Sequence, residues 1–285
     1  MDEATQPTDR RAIFIDVDGT LVNDRGLVPD SARLAVEQAR ANGHLVFLCT
    51  GRSTSELWQE ITDIGFDGII AAAGGYIEFQ GRVVAHRCVP ADQVRRVVDY
   101  FDHHGIQYLL ESNSGLYGST HSRTWLRRLL FGGVTDEDVL AELQRGLGGF
   151  LDSVVIGADP ARDDINKIMF LDSSLPIETI REEFADVFEV IPGTVPMLGR
   201  YSGEMSLTGV HKGAAIEALV EHLDLPIALT MAYGDGLNDL EMLTLVDIGV
   251  AMGNALPVVK AAADDVTGTP DEDGIHVSFT KYALI

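Results

Sequence analysis

Apolar and polar positions alternate in blocks along the first quarter of the chain. Residues 13–15, 45–49 and 68–73 are short, nearly unbroken apolar runs, the pattern of strands buried on both faces. Between them, residues 29–43 carry apolar positions at helical spacing, with proline at the entry and glycine at the stop. Residues 53–64 read as a second helix. Strand, helix, strand, helix, strand predicts a parallel sheet covered on both sides.

The pattern then changes. Residues 76–79 and 82–87 predict a hairpin around Gln80-Gly81, and a helix follows over 91–104. Short strands at 107–111, 116–117, 154–157, 166–171 and 187–191 mix with helices at 123–130, 137–147 and 177–184. The first grammar returns with helices over 212–223, 239–246 and 257–263 and strands over 228–233 and 248–252. This order predicts an α/β protein: a Rossmann-like parallel-sheet core, split between 1–82 and 196–285, with an inserted α+β domain over 83–195.

Composition narrows the function. The chain has 285 residues, 46% of them hydrophobic, enough for one large core and a smaller second one. Its formal net charge is -23, from 44 acidic and 21 basic residues, which argues against a nucleic-acid or anionic-membrane partner. Cys49 and Cys88 do not make a disulfide scaffold, and Cys49 reads as a small buried hydrophobe. The acidic, polar first residues do not read as a signal peptide, and no apolar run approaches the roughly 20 residues of a membrane span. A cytoplasmic protein is the expectation.

Candidate chemistry gathers at strand ends. The first apolar run leads into Asp16-Val-Asp-Gly-Thr20, two carboxylates beside a strand that call for a cation, hydrogen bonds or both. An aspartate there suits a metal ligand or a nucleophile. Thr50-Gly-Arg52 follows the second run, and Gly234-Asp-Gly-Leu-Asn-Asp239 follows the strand near 230. Lys212, one of only four lysines, opens a helix. Parallel strand ends line one edge of a sheet, so these groups are expected to share a pocket. Asp16 and Asp235 offer hard oxygen ligands for Mg²⁺. Thr50 offers a hydroxyl, Lys212 a positive charge, and glycines 51, 213, 234 and 236 let backbone approach a small ligand.

In this order the motifs resemble the haloacid-dehalogenase superfamily, in particular its Cof-type sugar-phosphatase-like branch with a type IIB cap. Asp16-Val-Asp-Gly-Thr20, Thr50-Gly-Arg52, Gly209-Val-His-Lys-Gly213 and Gly234-Asp-Gly-Leu-Asn-Asp239 match its motifs. Val250-Ala-Met-Gly-Asn-Ala255 and Asp271-Glu-Asp-Gly274 continue the likeness. His211 stands where a small polar residue is usual, and Pro270 where asparagine is common.

The resemblance implies a Mg²⁺-dependent phosphomonoester hydrolase acting on small phosphorylated metabolites, with sugar phosphates first and pyridoxal or flavin phosphates next. Asp16 would be the nucleophile, forming a phosphoaspartyl intermediate, and Asp18 the acid and base. Thr50, Gly51 and Lys212 would bind phosphate. Asp16, Asp235 and the backbone carbonyl of Asp18 would hold the metal, with Asn238 and Asp239 in support. His121, Arg123, Asn166 and Lys167 are the cap residues expected to set specificity. A sugar phosphomutase using the same aspartate, or a non-catalytic binding protein on this scaffold, are the alternatives.

Overall fold

The computed structural model describes residues 10–132, 151, 153–193 and 201–285. They fall into two compact units. The first holds the described residues up to Arg52, then Leu57–His86 and Val210–Ile285, and the second holds Ser53–Glu56 and Arg87–Gly209.

The strands, numbered in chain order, are β1 (Ala12–Ile15), β2 (Leu45–Cys49), β3 (Gly68–Ala71), β4 (Tyr76–Phe79) and β5 (Arg82–His86), then β6 (Gln107–Ser112), β7 (Gly115–Gly118), β8 (Val154–Ile156), β9 (Ile165–Leu171), β10 (Phe188–Pro192) and β11 (Gly203–Leu207), and last β12 (Thr230–Gly234), β13 (Ile248–Ala251) and β14 (Asp265–Val266). The first unit is built on one eight-stranded sheet of order β14-β13-β12-β1-β2-β3-β4-β5. The six strands from β14 to β3 pair in parallel, and β4 and β5 add an antiparallel hairpin at one edge.

Side chains alternate across this sheet with a period of two. Ile13, Ile15, Val46, Leu48, Met231 and Tyr233 face one side, where helices Asp30–Ala41 and Gly274–Lys281 supply Ala32, Ala35, Ile275 and Phe279. Ala12, Phe14, Leu45, Phe47 and Ala232 face the other, against Ile216 and Leu219 of Lys212–His222 and Met242 and Leu243 of Leu240–Leu245. Cys49 is wholly buried in this second layer. With both faces covered, β1, β2 and β12 run at their carboxyl ends into Asp16, Thr50 and Asp235.

The second unit has a six-stranded sheet of order β10-β11-β9-β6-β7-β8, antiparallel except for β7 with β8. Helices Ala91–His104 and Ile177–Phe184 bury Val94, Phe101, Ile180 and Phe184 against one face, while Leu126 of Ser122–Phe131 packs with Leu109, Leu116 and Leu171 on the other. This is the inserted α+β arrangement.

Three local readings differ from expectation. Residues 53–64 do not form one helix: Thr54–Glu56 is a 3₁₀ turn, Trp58 is extended, and only Gln59–Thr62 is α-helical. The insert read as ending near 195 continues to Gly209, because β11 pairs with both β10 and β9. The hairpin of residues 76–86 joins the first sheet through β3. The helix expected at 137–147 lies outside the described residues.

Candidate active site

Asp16 leaves β1 with its N–H still donating to the Tyr233 carbonyl of β12 at 3.0 Å, so its position is set by the sheet itself. Its Oδ1 lies 2.6 Å from Nζ of Lys212, and the same Nζ lies 2.6 Å from Oδ1 of Asp239. Lys212 is 1% exposed, so the ammonium is held dry between two carboxylates. Asp239 has no spare oxygen: its Oδ2 accepts the N–H groups of Asp235, at 3.0 Å, and Gly236, at 2.9 Å. Asp239 therefore fixes both the lysine and the turn that carries Asp235.

These charges shift one another. Burial works against the Lys212 ammonium, but Asp16 and Asp239 outweigh it and hold its pKa above the ordinary lysine value. Burial pushes Asp16 well above the usual carboxylate range, with Asp239 and Asp235 adding to the rise and Lys212 opposing it. Asp235 is pushed up to about 6 by burial and then by the Asp239 carboxylate, against the pull of Lys212 and Thr20. A set of carboxyls raised in this way is poised to exchange protons for a cation.

Asp16, Asp235 and Asp239 place one carboxylate oxygen each within 4.8 Å of the others. Hard oxygen donors at such spacing fit a divalent cation of the Mg²⁺ kind. Asp239 already accepts three hydrogen bonds, from Lys212 and two amides, whereas Asp235 accepts two and Asp16 one, so Asp16 and Asp235 keep more lone pairs to give. Asp235 is oriented from outside the cluster by Asn254, whose Nδ2 donates to its Oδ2 at 3.0 Å and to the Gly19 carbonyl at 2.9 Å. Gly19 has φ +76°, and a Cβ there would fall 2.4 Å from the Asp235 carboxylate, so the loop after β1 closes on Asp235 only with glycine.

Asp18, two residues beyond Asp16, turns outward. Its carboxylate takes both arms of the Arg52 fork, Nε to Oδ2 at 2.7 Å and Nη2 to Oδ1 at 2.8 Å, and the guanidinium lies 5.0 Å from the Trp58 ring centre. Thr50 is wholly buried and its Oγ1 accepts the Arg52 N–H at 3.1 Å. Asn238 is partly buried, with its Nδ2 3.6 Å from where a Cβ on Gly51 would lie. With Asp18 in the acid–base role that the resemblance implies, Arg52→Ala is expected to lower turnover about tenfold, since such a group supplies 10²–10⁴ and loses part of that with its orientation. The fold should stand, as both side chains are partly exposed. Parallel kcat and melting measurements check this, and an unchanged kcat on an alkyl phosphate would remove Arg52 from the reaction.

Among the four cap candidates, Asn166 and Lys167 are buried in the second unit. Asn166 Nδ2 donates to Ser53 Oγ at 2.8 Å and to Asn113 Oδ1 at 2.9 Å. Lys167 Nζ sits 2.8 Å from Glu204 and 3.3 Å from Glu111. Arg123 donates to the Val154 carbonyl, and His121 is exposed at the start of Ser122–Phe131. Sequence reading left Arg52, Thr20 and Asn254 out of the site. All three lie inside the quoted motifs, but nothing in a single sequence tells which motif position reaches a carboxylate elsewhere in the fold.

The sequence profile of the haloacid dehalogenase-like hydrolases matches residues 13–278. The chain belongs to that family. Putative phosphatase YkrA of Bacillus subtilis is 27% identical over 97% of this chain and 99% of its own. The 5-amino-6-(5-phospho-D-ribitylamino)uracil phosphatase YcsE of the same organism is 26% identical over 98% of each. Among solved structures, a hypothetical protein from Geobacillus kaustophilus HTA426 superposes with a TM-score of 0.77 at 25% identity, covering 97% of this chain and all of that one. As a haloacid dehalogenase-like hydrolase, the protein is a phosphatase. Its cap-bearing α/β architecture is that of its solved relatives.

Proposed function

We propose that this haloacid dehalogenase-like hydrolase removes phosphate from small sugar or sugar-alcohol phosphates, with Mg²⁺ as its cofactor. The observation that carries the reading is the buried Asp16–Lys212–Asp239 chain with Asp235 beside it: a carboxylate held in place by an ammonium, in a cluster suited to a cation. The substrate class draws support from YcsE, whose name places its phosphate on a ribityl chain.

Asp16 attacks phosphorus, forming an Asp16 O–P bond as the P–O bond to the leaving group breaks. Asp18, the second aspartate of the motif, gives its proton to the departing alkoxide. It then takes a proton from the water that hydrolyses the acyl phosphate, releasing inorganic phosphate and regenerating Asp16. Lys212, the Thr50 hydroxyl and the Gly51 backbone bind the nonbridging oxygens, and Asn238 and Asp239 support them. Mg²⁺ on Asp16, Asp235 and the Asp18 carbonyl would supply charge neutralisation to the transferring phosphoryl group. The leaving group is read by the inserted domain, with the exposed His121 and Arg123 as the first positions to vary ahead of the buried Asn166 and Lys167, because Thr50, Gly51 and Lys212, the groups assigned to phosphate, lie in the first unit. No helix among the described residues is long and apolar enough to cross a membrane. A cytoplasmic setting completes the proposal, in keeping with a sequence of only two cysteines.

Phosphate release from a panel of sugar, pyridoxal, flavin and aryl phosphates tests the reading. It should vanish with chelator and return with Mg²⁺, and full activity after complete metal removal would sink the metal assignment. Isomerised sugar phosphate with no free phosphate would make the protein a mutase instead. Metal affinity should fall with pH. Protonated Asp235 cannot ligate, and with its pKa near 6, calorimetry should find Mg²⁺ binding about tenfold weaker at pH 5 than at pH 7.5. The same shift has the opposite sign for the metal-free fold. A raised carboxyl pKa means the folded chain binds that proton more tightly than the unfolded one, so this group stabilises the metal-free protein as pH falls below about 6.

A further inference from the structure

We infer that His211 is a proton-gated positioning residue for Lys212, an inference that rests on Lys212 being the phosphate-binding lysine. The helix Lys212–His222 begins with that lysine, so whatever fixes its first turn also fixes the ammonium. His211 is the residue just before it, extended at φ -149° and ψ 165°, and its Nδ1 accepts the N–H of Ala214 at 3.2 Å. That is the hydrogen bond by which serine, threonine, asparagine or aspartate ordinarily closes the start of a helix. Histidine can make it only through an unprotonated Nδ1, with the proton of the neutral ring on Nε2.

The His211 backbone adds a second hold on the turn, its carbonyl accepting the N–H of Ala215 at 3.2 Å. Its carbonyl is pressed against Gly74, where φ is +107° and a Cβ would fall 2.5 Å from the His211 oxygen. Just past Lys212, a Cβ on Gly213 would fall 3.1 Å from the Glu241 carbonyl. Both sides of the first turn are close-packed, and the imidazole is its side-chain cap. The first turn holds no acidic residue.

Protonation changes this contact in three ways at once. The acceptor becomes a donor facing another N–H. A positive charge appears at the positive end of the helix. It also appears next to the Lys212 ammonium in the chain. Among the described residues no carboxylate lies within 4.0 Å of the ring, and the turn of residues 72–75 has no ionisable side chain; of the carboxylates around this helix start, Asp16 and Asp239 are taken up by the Lys212 ammonium at 2.6 Å, and Glu241 lies beside Gly213. Imidazole is the side chain whose ordinary titration falls between pH 5 and 8. A serine or asparagine cap would hold the turn across the whole range. The histidine makes the start of this helix, and with it the reach of Lys212 toward Asp16, conditional on pH.

The test compares wild type with His211→Ser and His211→Asn, both able to cap at every pH. In Mg²⁺-saturated enzyme the variants should match wild-type kcat/KM within about twofold at pH 8 and exceed it about fivefold at pH 5.5, the size of one lost cap. Parallel pH profiles overturn the inference. A second measurement needs no substrate: the melting temperature of metal-free protein between pH 8 and 5.5. Wild type should lose several degrees relative to both variants, so the cap is tested even if the phosphatase reading fails. Parallel melting curves overturn it as well. Divergent melting with parallel activity would show a pH-sensitive helix that does not position Lys212, which also rejects the inference. Should the serine variant fail to fold, the asparagine variant carries both arms.

Discussion

Asp16→Asn is expected to abolish turnover, with kcat down by about 10⁴ or more, while leaving the fold intact. The amide keeps the shape of the carboxylate, and its oxygen still accepts from Lys212, whose second partner Asp239 remains at 2.6 Å. What disappears is the anion proposed to attack phosphorus. Wild-type enzyme quenched in acid during turnover of a labelled aryl phosphate should carry label on Asp16, and the variant none. Label on any other residue, or a variant with more than a few per cent of wild-type rate, would reject Asp16 as nucleophile.

Lys212→Met should cost both activity and stability. Methionine fills the lysine's volume but leaves Asp16 and Asp239 facing each other in a site where Lys212 is 1% exposed. Removing one partner of a buried charge pair typically costs about 3–5 kcal/mol, because the other partner stays buried and uncompensated. Denaturant unfolding of the metal-free variant reads that loss directly. Turnover should fall about 10³-fold and stay low at saturating Mg²⁺, since a cation on Asp16 and Asp235 would not replace the phosphate donor proposed in Lys212. Near-wild-type kcat in the presence of Mg²⁺ would show that the lysine serves the fold alone.

The core was legible because its strands are apolar on both faces and end in unlike residues. Ile13-Phe-Ile15 into Asp16, and the run 45–49 into Thr50, mark strand and chemistry in one stroke. What escaped had weaker local marks. β11 buries only Gly203 and Met205, so its partnership with β9 and β10 is a tertiary fact that no window of five residues reveals. The helix Gly274–Lys281 shows just Ile275 and Phe279 one turn apart after a glycine start.

The site divides the same way. Asp16, Lys212, Asp235 and Asp239 are brought together as their motifs imply. A supporting role for Asp239 toward Lys212 was implied by the family resemblance, whereas Arg52 gripping Asp18 was not visible at all. The buried pairing of Lys167 with Glu204 and Glu111 joins residues far apart in the chain, and sequence could not distinguish it from a lysine aimed at a ligand.

The four residues Ser53–Glu56 have a consequence for transplantation. They lie in the chain between two segments of the first unit, yet their bonds are to the second: Ser53 to Asn166, the Thr54 N–H to Asn113 at 3.2 Å, and the Ser55 hydroxyl to the Ser112 carbonyl at 2.6 Å. A chimera that swaps only residues 87–209 for a relative's insert would carry off Asn166, 3% exposed, without the serine it evolved to hold. The exchangeable module of this enzyme is discontinuous, and grafts that move both pieces together should tolerate foreign inserts that the single-piece graft does not.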